Sequence, residues 1–143
     1  MSYLTKLMQS SHVLTLAVCG AILATMPGET AFAKATDPST YQDSCTSLGV
    51  TGATLTAVCR SRDGSFNART AIRIRGIDNV NGKLAYARNP TAMSTYQDSC
   101  ENIDVIGATL IAKCRRRDGS FNDQTTIRIR GIDNVNGKLT YAK

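Results

Sequence analysis

Apolar and polar letters alternate along this chain in short runs, and the runs occur twice. Leu55, Ala57 and Cys59 alternate with Thr54, Thr56 and Val58; Leu110, Ala112 and Cys114 alternate with Thr109, Ile111 and Lys113. A period of two is that of a strand, and it puts both cysteines on the buried face beside a leucine. Ile72 and Ile74 alternate with Arg73 and Arg75, a strand with one buried and one wet face. Asp63-Gly64 and Asp118-Gly119 predict turns leading to Phe66 and Phe121. Asn81-Gly82 and Asn136-Gly137 predict tight hairpins, because both residue types tolerate positive φ; the hairpins close on Leu84/Tyr86 and Leu139/Tyr141. Gly76 and Gly131 interrupt the pattern and mark a bend or bulge. No window sustains a 3.6 period, so helix is confined to single turns.

The thirteen letters of residues 72–84 return unchanged at 127–139. The same offset of 55 carries Ser-Thr-Tyr-Gln-Asp-Ser-Cys from Ser39 to Ser94. The chain is therefore a duplication, not a solenoid array: repeat one spans 39–88, a hinge 89–93, and repeat two 94–143. Pro90 makes the connecting segment semi-stiff, and the polar leader 34–38 is expected to be loose. Residues 1–33 read as a secretory signal peptide: Lys6 and His12, an apolar run from Val13 to Ala24, a break at Pro27-Gly28, then Ala31-Phe32-Ala33 before the cut. The run is too short to anchor in a membrane, which takes about 20 apolar residues, so no membrane span is expected. The protein is expected to be exported, either secreted or periplasmic.

Removal of the signal takes Cys19 and leaves Cys45, Cys59, Cys100 and Cys114. Four cysteines permit three pairings, and the repeat chooses among them. Both repeats separate their cysteines by 14, so like repeats form like bonds: Cys45–Cys59 and Cys100–Cys114. An exported chain keeps such bonds. No metal is expected, since Cys-x-x-Cys is absent and the sole histidine, His12, lies in the signal. Residues 34–143 suit a single domain, whereas one repeat of about 50 residues buries only a thin core alone. Its sixteen basic and ten acidic side chains leave a charge of +6, which suits anionic surfaces but also serves solubility.

The cysteine spacing, the Leu-x-Ala-x-Cys strand, the Asp-Gly turn and the closing Ile-x-Asn-Val-x-Gly-x-Leu-x-Tyr hairpin, each present twice, resemble cyanovirin-N and its homologues over residues 39–143. The resemblance implies an all-β fold of two intertwined pseudo-symmetric halves. Each half combines a three-stranded sheet from one repeat with a β-hairpin from the other. It also implies a lectin for mannose-rich glycans with two quasi-equivalent sites, no cofactor and no catalysis. One site would combine Thr40, Asp43, Ser44, Arg60, Ser61 and Arg62 with Asn134, Val135 and Asn136. The other would combine Thr95, Asp98, Ser99, Arg115, Arg116 and Arg117 with Asn79, Val80 and Asn81. Vicinal hydroxyls need closely spaced donors and acceptors, which amides, carboxylates, turn carbonyls and an arginine fork provide without a metal. The chain departs from cyanovirin-N where Asn81 and Asn136 replace an aspartate, Arg60 a glutamate and Arg62 a threonine. Interleaved halves joined at Pro90 are compatible with a monomer or a domain-swapped dimer.

A different class is also open. Arg73, Arg75, Arg128 and Arg130 on matching strands could form a stripe for an anionic polysaccharide or other polyanion. The tyrosines and phenylalanines fall at core-like positions, so no stacking platform for bases is expected. Strand alternation predicts that Arg115 and Arg117 face away from Arg116. Without a histidine no Ser-His or Cys-His pair can form, and Asp43 and Asp98 fall in different repeats, too far apart for a carboxylate pair. An enzyme is not expected.

Overall fold

The computed structural model describes residues 34–143; the expected export signal lies outside the described residues. Ten strands follow in order: β1 (Cys45–Thr51), β2 (Thr54–Cys59), β3 (Thr70–Arg73), β4 (Ile77–Val80), β5 (Lys83–Tyr86), β6 (Cys100–Ile106), β7 (Thr109–Cys114), β8 (Thr125–Arg128), β9 (Ile132–Val135) and β10 (Lys138–Tyr141). Each repeat opens with a single 3-10 turn, Tyr41–Asp43 or Tyr96–Asp98. Among the described residues helix is limited to short turns. Strands β1-β2-β3 and β6-β7-β8 form two antiparallel sheets, and β4-β5 and β9-β10 form two hairpins.

The hairpins are exchanged. Strand β5 packs on β8 and β7 of the second repeat, and β10 packs on β3 and β2 of the first. The Leu84 N–H donates to Thr125 Oγ1 at 3.1 Å, and the Leu139 N–H donates to Thr70 Oγ1 at 3.3 Å. Tyr86 and Tyr141 each donate their hydroxyl to the other repeat, to Arg128 O and Arg73 O. The Ser-Thr that opens each repeat grips a hairpin base. Buried Ser39 Oγ accepts from Ile132 N and Ser94 Oγ from Ile77 N, both at 3.0 Å.

The predicted alternation holds in β2 and β7. Leu55, Ala57 and Cys59, and their counterparts Leu110, Ala112 and Cys114, are the buried residues of those strands. Full burial of a leucine contributes about 2–3 kcal/mol. Cys45 faces Cys59 across β1-β2, and Cys100 faces Cys114 across β6-β7; both pairs are disulfide-bonded as the repeat requires. Asn81 and Gly82 (φ +50° and +88°) and Asn136 and Gly137 (φ +50° and +84°) form the hairpin corners. Two positive φ values in succession are the turn that matches strand twist.

Four expectations need correction. The leader is not loose. The Gly131 N–H donates to Asp37 O at 2.8 Å, and Pro38 bridges to Arg130. In the same way Gly76 donates to Ala92 O at 2.8 Å, and Met93 bridges to Arg75. Leader and hinge are thus equivalent straps, each covering a glycine with positive φ whose missing Cβ makes room for Ala35 or Pro90. The arginine strand ends early: β3 stops at Arg73, because Ile74 turns inward to donate to Ala53 O. Arg75 and Arg130 are not simply on a wet face; their guanidinium groups lie over the rings of Tyr141 and Tyr86, at 4.6 and 3.6 Å from the centroids. The aromatics are not all core: Tyr41 and Tyr96 are fully buried, but Phe66 is 49% and Tyr86 41% exposed. Strands β1 and β6 also carry a bulge at Ser47 and Asn102 (φ +51° and +50°), which the polar letters there did not announce.

The buried tyrosines cross between the halves. Tyr41 Oη donates to Gly107 O at 2.8 Å and Tyr96 Oη to Gly52 O at 2.9 Å. Burial pushes both hydroxyls well above the ordinary tyrosine range, and it pushes Tyr141 up to about 12. A raised folded value means that, above pH 10.0, the unfolded chain binds fewer protons than the folded one. This stability is complete below pH 10.0 and is lost as pH rises through the folded values. Denaturant unfolding followed from pH 8 to about pH 12 should show a progressive fall above pH 10, shallower in the Tyr41→Phe/Tyr96→Phe variant. That variant should also lose about 1 kcal/mol per hydroxyl at neutral pH. A flat alkaline profile in the parent contradicts the assignment.

Candidate functional site

Each exchanged hairpin ends in a corner that faces the Asp-Gly loop of the other repeat. The loop is set by its own side chains. Ser61 N donates to Ser65 O at 2.7 Å, Gly64 N to Ser61 O at 3.0 Å, and the Asp63 carboxylate accepts from both the amide and the hydroxyl of Ser65. Those hydrogen bonds hold the Asp63 carboxyl below the usual carboxylate range; Ser120 does the same for Asp118.

Asn134 fastens the corner to this loop. Its Nδ2 donates to Ser44 Oγ and Arg60 O, both at 2.8 Å, while its Oδ1 accepts from Gly137 N at 2.8 Å. Asn79 repeats all three bonds with Ser99, Arg115 and Gly82. Asn136 Oδ1 accepts from Arg62 N, and Asn81 Oδ1 from Arg117 N, both at 3.0 Å. An asparagine where cyanovirin-N has aspartate therefore still offers a carbonyl oxygen to a backbone amide. Both amide hydrogens of Asn79 and Asn134 are taken, so these side chains shape the corner rather than present free donors.

Two clefts result, each of about 330 Å³. The first brings together Ser44, Arg60, Ser61, Arg62, Asn134, Val135 and Asn136; the second, Ser99, Arg115, Arg116, Arg117, Asn79, Val80 and Asn81. Seven of the nine residues expected at each site thus line one concavity. The other two do not. Thr40 Oγ1 donates to Asp133 Oδ1 and Thr95 Oγ1 to Asp78 Oδ1 at 2.7 Å, so the threonines brace the hairpin base. Asp43 and Asp98 are exposed in the turns beside the cleft serines.

Contrary to simple alternation, all three arginines from 115 to 117 line the second cleft, because β7 ends at Cys114 and the chain turns immediately. The clefts differ at a single position, Ser61 against Arg116. No carboxylate lines either one. Arg60 and Arg115 lie over Phe66 and Phe121, each 5.2 Å from the centroid, which fixes the guanidinium planes at the cleft edges.

Asn67 and Asn122 complete the clamp and were not foreseen. Asn67 Nδ2 donates to Asn136 O and Asn122 Nδ2 to Gly82 O. A Cβ at Gly137 would run into Asn67 and Ser61, and one at Gly82 would sit 2.7 Å from both Arg116 Cγ and Asn122 Nδ2. The recurrence of Ser-Phe-Asn at 65–67 and 120–122 is the signal that could have marked them.

Comparison with known proteins agrees with this construction. Residues 41–140 match the CVNH domain family. A cyanovirin-N homologue of Tuber borchii is 31% identical over 105 residues, covering 71% of this chain and 97% of that protein. The solved structure of the T. borchii CVNH protein superposes with a TM-score of 0.59 at 30% identity, covering 72% of this chain and 99% of that one. A designed cyanovirin-N homologue lectin gives 0.55 at 25% identity, covering 72% and 99%. Microvirin in complex with mannobiose gives 0.54 at 24% identity, covering 71% and 97%, a likeness of fold. With its duplicated, hairpin-exchanged architecture, the chain belongs to the cyanovirin-N homologue family.

Proposed function

We propose that this protein is an exported carbohydrate-binding lectin that holds mannose-rich glycans in its two hairpin-loop clefts and catalyses no reaction. The observation that carries the reading is the pair of equivalent clefts, six of whose seven lining positions are the same letter in both. Each offers a serine hydroxyl, two or three guanidinium groups and the backbone of a rigid corner. Such a set is dense in donors, so sugar hydroxyls enter mainly as acceptors. The corner is fastened before any ligand arrives, which lowers the ordering cost of binding. Two sites on one body gain avidity on a polyvalent glycan when the spacing fits. The mannose assignment follows the family resemblance and export follows the signal-like residues 1–33.

A second reading, binding of an anionic polysaccharide, is favoured by one observation: the second cleft has three arginines and no carboxylate. A glycan array run at low and high salt separates the two. Binding to neutral mannose oligosaccharides that survives high salt is the expected result. Binding restricted to sulfated or uronic glycans and erased by salt supports the second reading, because screening shortens the reach of exposed charges.

The Asn79→Ala/Asn134→Ala variant should lose glycan binding while keeping its fold, with a stability cost of about 1 kcal/mol for each of the three hydrogen bonds lost per corner. Calorimetric titration with a mannose oligosaccharide, beside a thermal melt, checks both halves of the statement. Undiminished affinity in the folded double variant would show that the clefts are misplaced.

A further inference from the structure

A third concavity lies between the halves, away from both hairpin corners. It occupies about 190 Å³ where the hinge strap and the leader strap come together, and Arg75, Arg88, Arg130, Tyr86, Thr36 and Pro90 are among the residues around it. Arg75 and Arg130 are the same position of the two repeats, so the duplication itself brings two arginines to the wall of one small space; Arg88 adds a third.

Three properties of this cluster point to a ligand. First, none of the described residues that line it is acidic. Among the described residues the ion pair within 4.0 Å is Lys113–Glu101, so no carboxylate approaches these three arginines that closely. Three like charges around one cavity repel one another, and an anion relieves that repulsion. Second, two of the three are already oriented. Arg75 is held over Tyr141 and Arg130 over Tyr86. Stacking occupies the face of a guanidinium and leaves its N–H edge free to donate. An edge of this kind matches the paired oxygens of an oxyanion, and a held side chain gives up less entropy when it binds. Third, the space is small, about 190 Å³ against about 330 Å³ for each hairpin-loop cleft.

The geometry points to a binding site for a tetrahedral oxyanion, a sulfate or phosphate group, at the seam of the two halves. Arg130 and Arg75 grip it through their N–H edges, and Arg88 closes over it. The site is independent of the glycan clefts, which share no residue with it. The group arrives either free or as an ester on a sugar, and the test separates these sources.

The test is a residue-resolved NMR titration of the full protein with inorganic phosphate, inorganic sulfate, mannose 6-phosphate, and sodium chloride at matched ionic strength. Saturable shifts are expected at residues 75–77, 86–88 and 130 with the oxyanions and not with chloride. Among the described residues Arg88 pairs with no ring, so Arg88→Ser should keep the fold and the mannose-oligosaccharide response of the clefts while weakening oxyanion binding at least tenfold. Arg130→Gln should weaken it further. Tighter binding of mannose 6-phosphate than of phosphate assigns an ester, and equal binding assigns the free ion. Identical shifts with chloride, non-saturating shifts spread over all arginines, or undiminished affinity in Arg88→Ser would each overturn the proposal. Loss of the lectin reading would appear separately, as silence of the hairpin-loop clefts toward neutral mannose oligosaccharides.

Discussion

Leu84 and Leu139 sit on hairpins of one repeat and are buried against the sheet of the other, each only 7% exposed. A 50-residue unit buries only a thin core alone, and each three-stranded sheet here has an apolar face that the other repeat's hairpin packs on. The lent hairpin covers it. Around that contact everything else is arranged: Ser39 and Ser94 grip the hairpin bases, Tyr86 and Tyr141 tie their last strands across, and Gly76 and Gly131 let the straps lie close over the bends.

The exchange also creates the clefts. Because a hairpin tip from one repeat must land on a turn from the other, each landing leaves a groove bordered by both. The Asn79 and Asn134 amides seal the contact from within, and Asn122 and Asn67 seal it at the tip. Closing the core thus leaves two grooves whose polar groups are already spaced and immobilised. The duplication gives two such grooves, and Arg116 in place of Ser61 lets them diverge in charge without disturbing the fold.

Much of this was legible in the letters. Leu55, Ala57 and Cys59 declare a half-buried strand by period alone, and Asn81-Gly82 declares a corner by the φ values those residues tolerate. The equal spacing of the cysteines fixes the bonds. The family resemblance supplied the hairpin exchange and all seven lining residues of each cleft, among nine expected. What local pattern could not carry was tertiary. The 34–38 leader reads as a free polar end until Gly131 is seen to need the cover that the hinge gives Gly76. Arg116 reads as facing away until the strand is seen to stop at Cys114. Phe66 reads as core, whereas the space beneath it belongs to Arg60 and a turn. Thr40 and Thr95 give no sign in the sequence that their hydroxyls donate to a carboxylate on the lent hairpin.

The central proposal is that glycan is held in the two clefts shared between the repeats. Amide chemical-shift mapping during titration with a mannose disaccharide tests it most directly. The account predicts that residues 60–62 respond together with 134–136, and 115–117 together with 79–81. Responses confined to one repeat within a cleft, or falling outside both sets, would contradict it.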